Sequence, residues 1–133
     1  MSGETDLKAI LQSLSPIMLE ETYVFCTVVG ASYGDYAEAA PIASYQEHEG
    51  LTLVLTQERA DASEFGYEGL FSCISLQVHS SLESVGLTAV VAGKLAAYEI
   101  SANIIAGYYH DHVFVPQAQA SEALALLRNL NRV

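Results

Sequence analysis

The pattern that most constrains this chain lies in its second half, where the hydrophobic period changes from two to about 3.6 and back again. Residues 70–79 alternate, with Phe71, Cys73 and Ser75 on one face and Ile74, Leu76 and Val78 on the other, which predicts a strand. Ser80-Ser81-Leu82-Glu83-Ser84 makes a polar connection. Leu87, Val91, Leu95 and Tyr98 then fall on one stripe, with Ala92 and Ala96 beside it, and predict a helix over 85–98. Residues 101–107 predict a short strand, 108–112 a turn, and Val113-Phe114-Val115 a returning strand that Pro116 stops. Ala120, Ala123, Leu124, Leu127 and Leu130 share one side of a last helix over 118–131. Strand, helix, strand, strand, helix is a split β-α-β unit, in which two helices bury one face of an antiparallel sheet.

The first half is less regular. Leu7, Ile10, Leu11 and Leu14 predict a helix over 5–14, capped by Thr5 or Asp6 and ended before Pro16. Residues 21–30 predict a strand, and Ala31 to Ala40, with Gly34, Asp35 and two tyrosines, a loop. Strands over 42–47 and 51–55 flank a His48-Glu49-Gly50 turn, with Gly50 expected at positive φ. Residues 57–64 suit a short helix, and Gly66 and Gly69 flank a linker, so the domain spans expected are 1–66 and 67–133. No residue-by-residue repeat relates the halves.

Composition narrows the class. Among 133 residues, 51% are apolar and 16% charged, enough to build a core without disulfide staples. Five basic against 16 acidic residues give a net charge of -11, which argues against nucleic acid and anionic membranes as partners. No apolar run approaches the ~20 residues a membrane span needs. Met1-Ser2-Gly3-Glu4-Thr5-Asp6 has no basic stretch before an apolar one, so no secretory leader is expected and the location expected is cytoplasmic. Cys26 and Cys73 sit in apolar, β-rich stretches with no C-x-x-C spacing, as buried thiols of a reducing compartment do.

The run Ser80 to Ala89, the helix after it and Ile100-Ser101-Ala102-Asn103-Ile104-Ile105 together resemble the ACT domain. The likeness is greatest to the subclass of aspartokinases and CASTOR-type arginine sensors, where a VGL or VGM stretch opens the first helix and I-x-x-N-I opens the second strand. Glu47-His48-Glu49-Gly50-Leu51-Thr52, Val78-His79-Ser80-Ser81-Leu82, Val85-Gly86-Leu87-Thr88-Ala89 and Gly107-Tyr108-Tyr109-His110-Asp111-His112 further resemble stand-alone bacterial proteins made of two ACT-like units. The resemblance implies an α+β, ferredoxin-like sandwich: two tandem ACT-like units, each with an antiparallel sheet and helices on one face. It implies a regulatory protein rather than an enzyme, with no cofactor. Its ligand would be a small molecule, most often an amino acid, bound at an interface between units. A homodimer and an unidentified protein partner for the output are also implied. By the same resemblance the ligand-binding residues are Ser80, Ser81, Leu82, Glu83, Val85, Gly86 and Leu87, with Asn103 and Ile104 facing the same pocket. The common Asp-x-x-Gly before the helix is absent here, so ligand identity does not carry over.

Elementary chemistry agrees with that loop. Amides at a helix N-terminus are unsatisfied and carry partial positive charge, which suits a carboxylate. Gly86 lets a ligand approach the backbone, the serines offer hydroxyls, and Glu83 suits an ammonium. The plainer reading is that the serines cap and Gly86 serves packing.

Other constellations compete. His110 and His112 at i and i+2 suit one metal ion if a third ligand joins them, with His79 and His48 the distant candidates; a tight turn with Asp111 at its tip explains them without metal. Glu47-His48-Glu49 suits acid–base work in a pocket, or a charged turn in water. Tyr33, Tyr36, Tyr45 and Tyr67 suit an aromatic contact surface or ordinary sheet edges. The alternatives to a sensor are therefore a metal-binding protein or small enzyme using His110 and His112, and a ligand-free interaction module.

Overall fold

The computed structural model describes residues 6–77 and 85–130. The chain divides into two compact units. The larger runs up to Glu20 and resumes at Ser72, and the smaller is Glu21–Phe71. A cut between residues 66 and 67 falls inside the smaller unit, close to its end.

The larger unit holds α1 (Leu7–Ser13), the start of β1 (Pro16–Val28), β4 (Phe71–Leu76), α3 (Leu87–Ala97), β5 (Asn103–Ala106), β6 (Asp111–Pro116) and α4 (Ala120–Arg128). Its strand order is β1-β4-β6-β5. β4-α3-β5 is thus the split β-α-β with β6 between its strands, paired antiparallel to β5 with Ile104 opposite Val113. The expected alternation holds: Ile74 and Leu76 of β4 join Val113 and Val115 of β6 under Ile10 of α1, Leu87, Val91 and Leu95 of α3, and Ala123 and Leu127 of α4. Burying each such branched side chain contributes about 1.5–3 kcal/mol. Asp6 caps α1, its carboxylate accepting from the Lys8 amide at 3.0 Å.

The smaller unit holds the rest of β1, β2 (Ala43–Gln46), β3 (Leu51–Thr56) and α2 (Gln57–Ala62), in the order β2-β3-β1. Both pairings are antiparallel, with Val24 opposite Leu55, Cys26 opposite Leu53 and Ser44 opposite Leu53. Leu51, Leu53 and Leu55 share a face with Val24 and Cys26, and Ala39 and Ala60 close over them. Thr56 caps α2, accepting from the Arg59 amide at 3.2 Å. Between β1 and β2 the chain makes only a three-residue 3-10 turn, Ala37–Ala39. Both units are α+β and of ferredoxin-like type.

Three local expectations change. β1 starts at Pro16 rather than residue 21, because proline's fixed φ suits extended chain as well as it ends a helix. Gly50 is not at positive φ. It is buried beside β1, where a Cβ would stand 2.9 Å from Thr27 Oγ1 and 3.0 Å from the Val28 carbonyl oxygen. Asp111 and His112 already belong to β6, so Asp111 is not at a turn tip. The polar connection Ser80–Ser84 lies outside the described residues.

Candidate functional site

The loop expected to bind ligand leads into α3. Ser80, Ser81, Leu82 and Glu83 lie outside the described residues. Val85 is 83% exposed. Gly86 is the N-cap of α3 at φ 106 and ψ -21, with no side-chain capping bond among the described residues. A Cβ on Gly86 would meet the Leu7 side chain, so the glycine serves both the backbone turn and the packing of α1. The side chain of Leu87 is 4% exposed and belongs to the core, leaving only its backbone to a ligand. Asn103 is exposed, whereas Ile104 packs against the core of the larger unit. Consecutive strand residues point to opposite sides, so these two do not face a common pocket. β6 also stands between their strand and β4.

The hairpin joining β5 and β6 turns through Gly107, whose amide donates to the His110 carbonyl at 2.9 Å. Tyr108 and Tyr109 form its tip, with rings edge to face at 5.0 Å. Burial holds His112 below the usual imidazole range, helped by His110 and opposed by Asp111. Burial also raises the Asp111 carboxyl, against the pull of His112. The His110 Nδ1 atom is buried with no hydrogen-bond partner among the described residues. No three His, Cys, Asp or Glu side chains among the described residues group closely enough to hold a metal ion.

Glu47, His48 and Glu49 are all exposed on a turn closed by reciprocal bonds between Glu47 and Gly50, at 3.0 and 3.3 Å. Of Tyr33, Tyr36, Tyr45 and Tyr67, Tyr36 and Tyr67 pack against the smaller core, while Tyr33 and Tyr45 are exposed. The Tyr67 hydroxyl donates to Asp61 at 2.7 Å, and that bond is the main cause of its raised pKa.

A feature with little sequence signal is a cavity of about 350 Å³ in the smaller unit. Tyr33, Tyr36, Pro41 and Ile42 line it on the loop side, and Ser44 and Leu53 on the sheet side. None of its lining residues is charged. The Ser44 hydroxyl is buried with no hydrogen-bond partner among the described residues. The loop above is held by Gln46, whose Oε1 accepts from the Tyr33 amide at 2.7 Å and whose Nε2 donates to the Ala31 carbonyl at 3.2 Å. Asp35 adds a bond from the Ser32 amide at 2.7 Å. The paired tyrosines Tyr33 and Tyr36 hinted at this place; nothing marked Ser44.

Two family profiles described as ACT domain match residues 2–72 and 71–129. The chain belongs to the ACT-domain family. Among solved structures, this ACT protein is similar to a Vibrio cholerae protein of unknown function described as a possible transport protein. The two are 51% identical, with a TM-score of 0.86, over 96% of this chain and 98% of that one. A protein from Agrobacterium tumefaciens is 16% identical, with a TM-score of 0.73 and 89% of each chain covered. The regulatory subunit of aspartate kinase from Thermus thermophilus is 11% identical, with a TM-score of 0.62 over 89% of this chain and 98% of that one, a likeness of fold. A search of curated proteins gives no match. The ACT protein is thus two tandem ACT domains, a class of regulatory, amino-acid-binding module. No helix among its described residues is long and apolar enough to cross a membrane.

Proposed function

We propose that this ACT protein is a regulatory module, not a catalyst, that binds an amino acid at the loop from Ser80 to Leu87. The observation that carries the reading is the match of residues 2–72 and 71–129 to ACT domains. The regulatory subunits of aspartate kinase share the fold, which supports control rather than chemistry as the task. In this reading the ligand carboxylate meets the amides at the head of α3, beginning at Gly86. Glu83 takes the ammonium, and Ser80 and Ser81 supply hydroxyls. Asn103, exposed on β5, is open to the ligand, whereas Ile104 supports the core beneath. The reading includes a cytoplasmic homodimer that passes the signal to another protein.

Calorimetric titration with the twenty amino acids tests this. One amino acid is expected to bind selectively, and Val85→Asp to weaken it at least tenfold. Val85 is exposed, and an acidic side chain at a helix N-terminus favours the helix, so the fold survives while the new carboxylate competes with the ligand's. An amino acid bound equally by the variant would remove the site from this loop. No binding at millimolar concentration would remove the sensor reading.

A further inference from the structure

The cavity of the smaller unit lies where the fold omits a helix. In the larger unit α1, α3 and α4 cover the sheet. In the smaller unit the connection from β1 to β2 supplies only the Ala37–Ala39 turn. Gly34 at φ 93 and Ala40 at φ 50 bracket that turn, and Pro41 follows, so no α-helix continues through it. Ser44, Leu51 and Leu53 therefore lie under a loop, and about 350 Å³ is left between loop and sheet.

We propose that this cavity binds a small uncharged aromatic molecule bearing one hydroxyl group, a phenol. An engineered apolar cavity of about 150 Å³ holds benzene, so this volume takes a substituted ring. Its lining mixes aliphatic and aromatic side chains with the Ser44 side chain and backbone polar groups, and none of its residues carries a charge to pair a carboxylate or an ammonium. Ser44 lines the cavity, and its buried hydroxyl has no hydrogen-bond partner among the described residues. A phenol hydroxyl both donates and accepts, so it answers either need. The site is also preorganised. Gln46 and Asp35 hold the loop, and Tyr36 stands edge-on to Phe65 at 5.1 Å, so little ordering remains to be done on binding.

The inference does not depend on the amino-acid reading, which concerns the other unit. The test is an amide-resonance titration of the full chain with p-cresol and with p-xylene, which differ only by a hydroxyl for a methyl. p-Cresol is expected to shift the amides of Tyr33, Gly34 and Ser44 and to leave those of Val85 to Leu87 still. Ser44→Ala is expected to weaken p-cresol about three- to tenfold and leave p-xylene unchanged, the loss typical of one hydrogen bond. Tyr33→Ala, at a side chain 77% exposed and so neutral for folding, is expected to weaken both. L-Tyrosine, the same ring with charged ends, is expected to bind here more weakly than p-cresol. The proposal is overturned if millimolar p-cresol moves none of these resonances, if Ser44→Ala leaves its affinity unchanged, or if L-tyrosine binds here as tightly.

Discussion

Leu7 packs against Gly86 so closely that a Cβ added to the glycine would stand 2.9 Å from Leu7 Cδ2. Gly86 is also at φ 106, where a non-glycine residue costs on the order of 1–3 kcal/mol. Gly86→Ala is therefore expected to destabilise the protein by about 2–4 kcal/mol, the strain joined by the clash. Adding Leu7→Ala relieves the clash but not the strain. Denaturant melts of the two single variants and the double variant check this. A double variant as unstable as the sum of the singles would mean that the contact carries no energy.

His112 makes stability depend on acidity. Folding lowers its pKa below the ordinary 6.5 because the ring is half-buried beside His110. Well above pH 6.5 the ring is neutral in both states and costs nothing. As pH falls through that value the unfolded chain gains a proton that the folded chain refuses, and stability drops until the folded pKa is passed. Asp111 runs the other way in a lower range: its raised pKa gives stability present below 3.8 and lost as pH rises through the folded value. Urea melts near neutrality and near pH 5.5 should show a smaller loss for His112→Gln than for the parent; an equal loss would place the acid sensitivity elsewhere.

Both thiols are buried and free. Burial raises Cys26 and pushes Cys73 up to about 12, which leaves roughly one thiolate in ten thousand at pH 8. Ellman's reagent is expected to label neither cysteine of the native protein over an hour and both in guanidinium. Prompt labelling of Cys73 without denaturant would mean that β4 opens far more readily than its burial implies.

Gln46 is exposed, yet it ties the loop above the cavity at Tyr33 and Ala31. Gln46→Leu removes both bonds at a cost of about 1 kcal/mol. Hydrogen exchange at the Tyr33 amide is expected to accelerate at least tenfold, with the Leu53 amide on β3 unchanged. Matching acceleration at both would make Gln46 a support of the whole unit rather than of its loop.

What the sequence made legible follows from the range of the forces involved. Leu87, Val91 and Leu95 announce α3 by their own spacing, and Ile74 and Leu76 announce the inward face of β4, because periodicity is local. The ACT motifs around Val85-Gly86-Leu87 and Asn103-Ile104 marked the family for the same reason. Contacts between distant residues were not legible. Gly50 looked like a turn glycine, but the Val28 carbonyl across the ladder is what excludes a side chain there. Asn103 and Ile104 looked like partners in one pocket, and their alternation puts them on opposite faces. Tyr108 and Tyr109, not Asp111, form the tip of the last hairpin, a shift of register that turn chemistry alone does not fix. Ser44 carried no mark at all, since a serine in a short strand is ordinary until its hydroxyl is found buried with no partner among the described residues.

The larger unit takes its strands from both ends of the chain, with the start of β1 standing beside β4. During synthesis the two units therefore mature on different schedules. The smaller unit is continuous and has all its residues once Phe71 has left the ribosome. Leu7, Ile10 and Leu11 emerge before the smaller unit does, but their core waits for Val113, Val115 and Leu127. Such long-range closure is slow, and it leaves that apolar segment bare while roughly a hundred intervening residues are made. The acidic surplus of the chain, a net -11, keeps nascent copies apart over that interval.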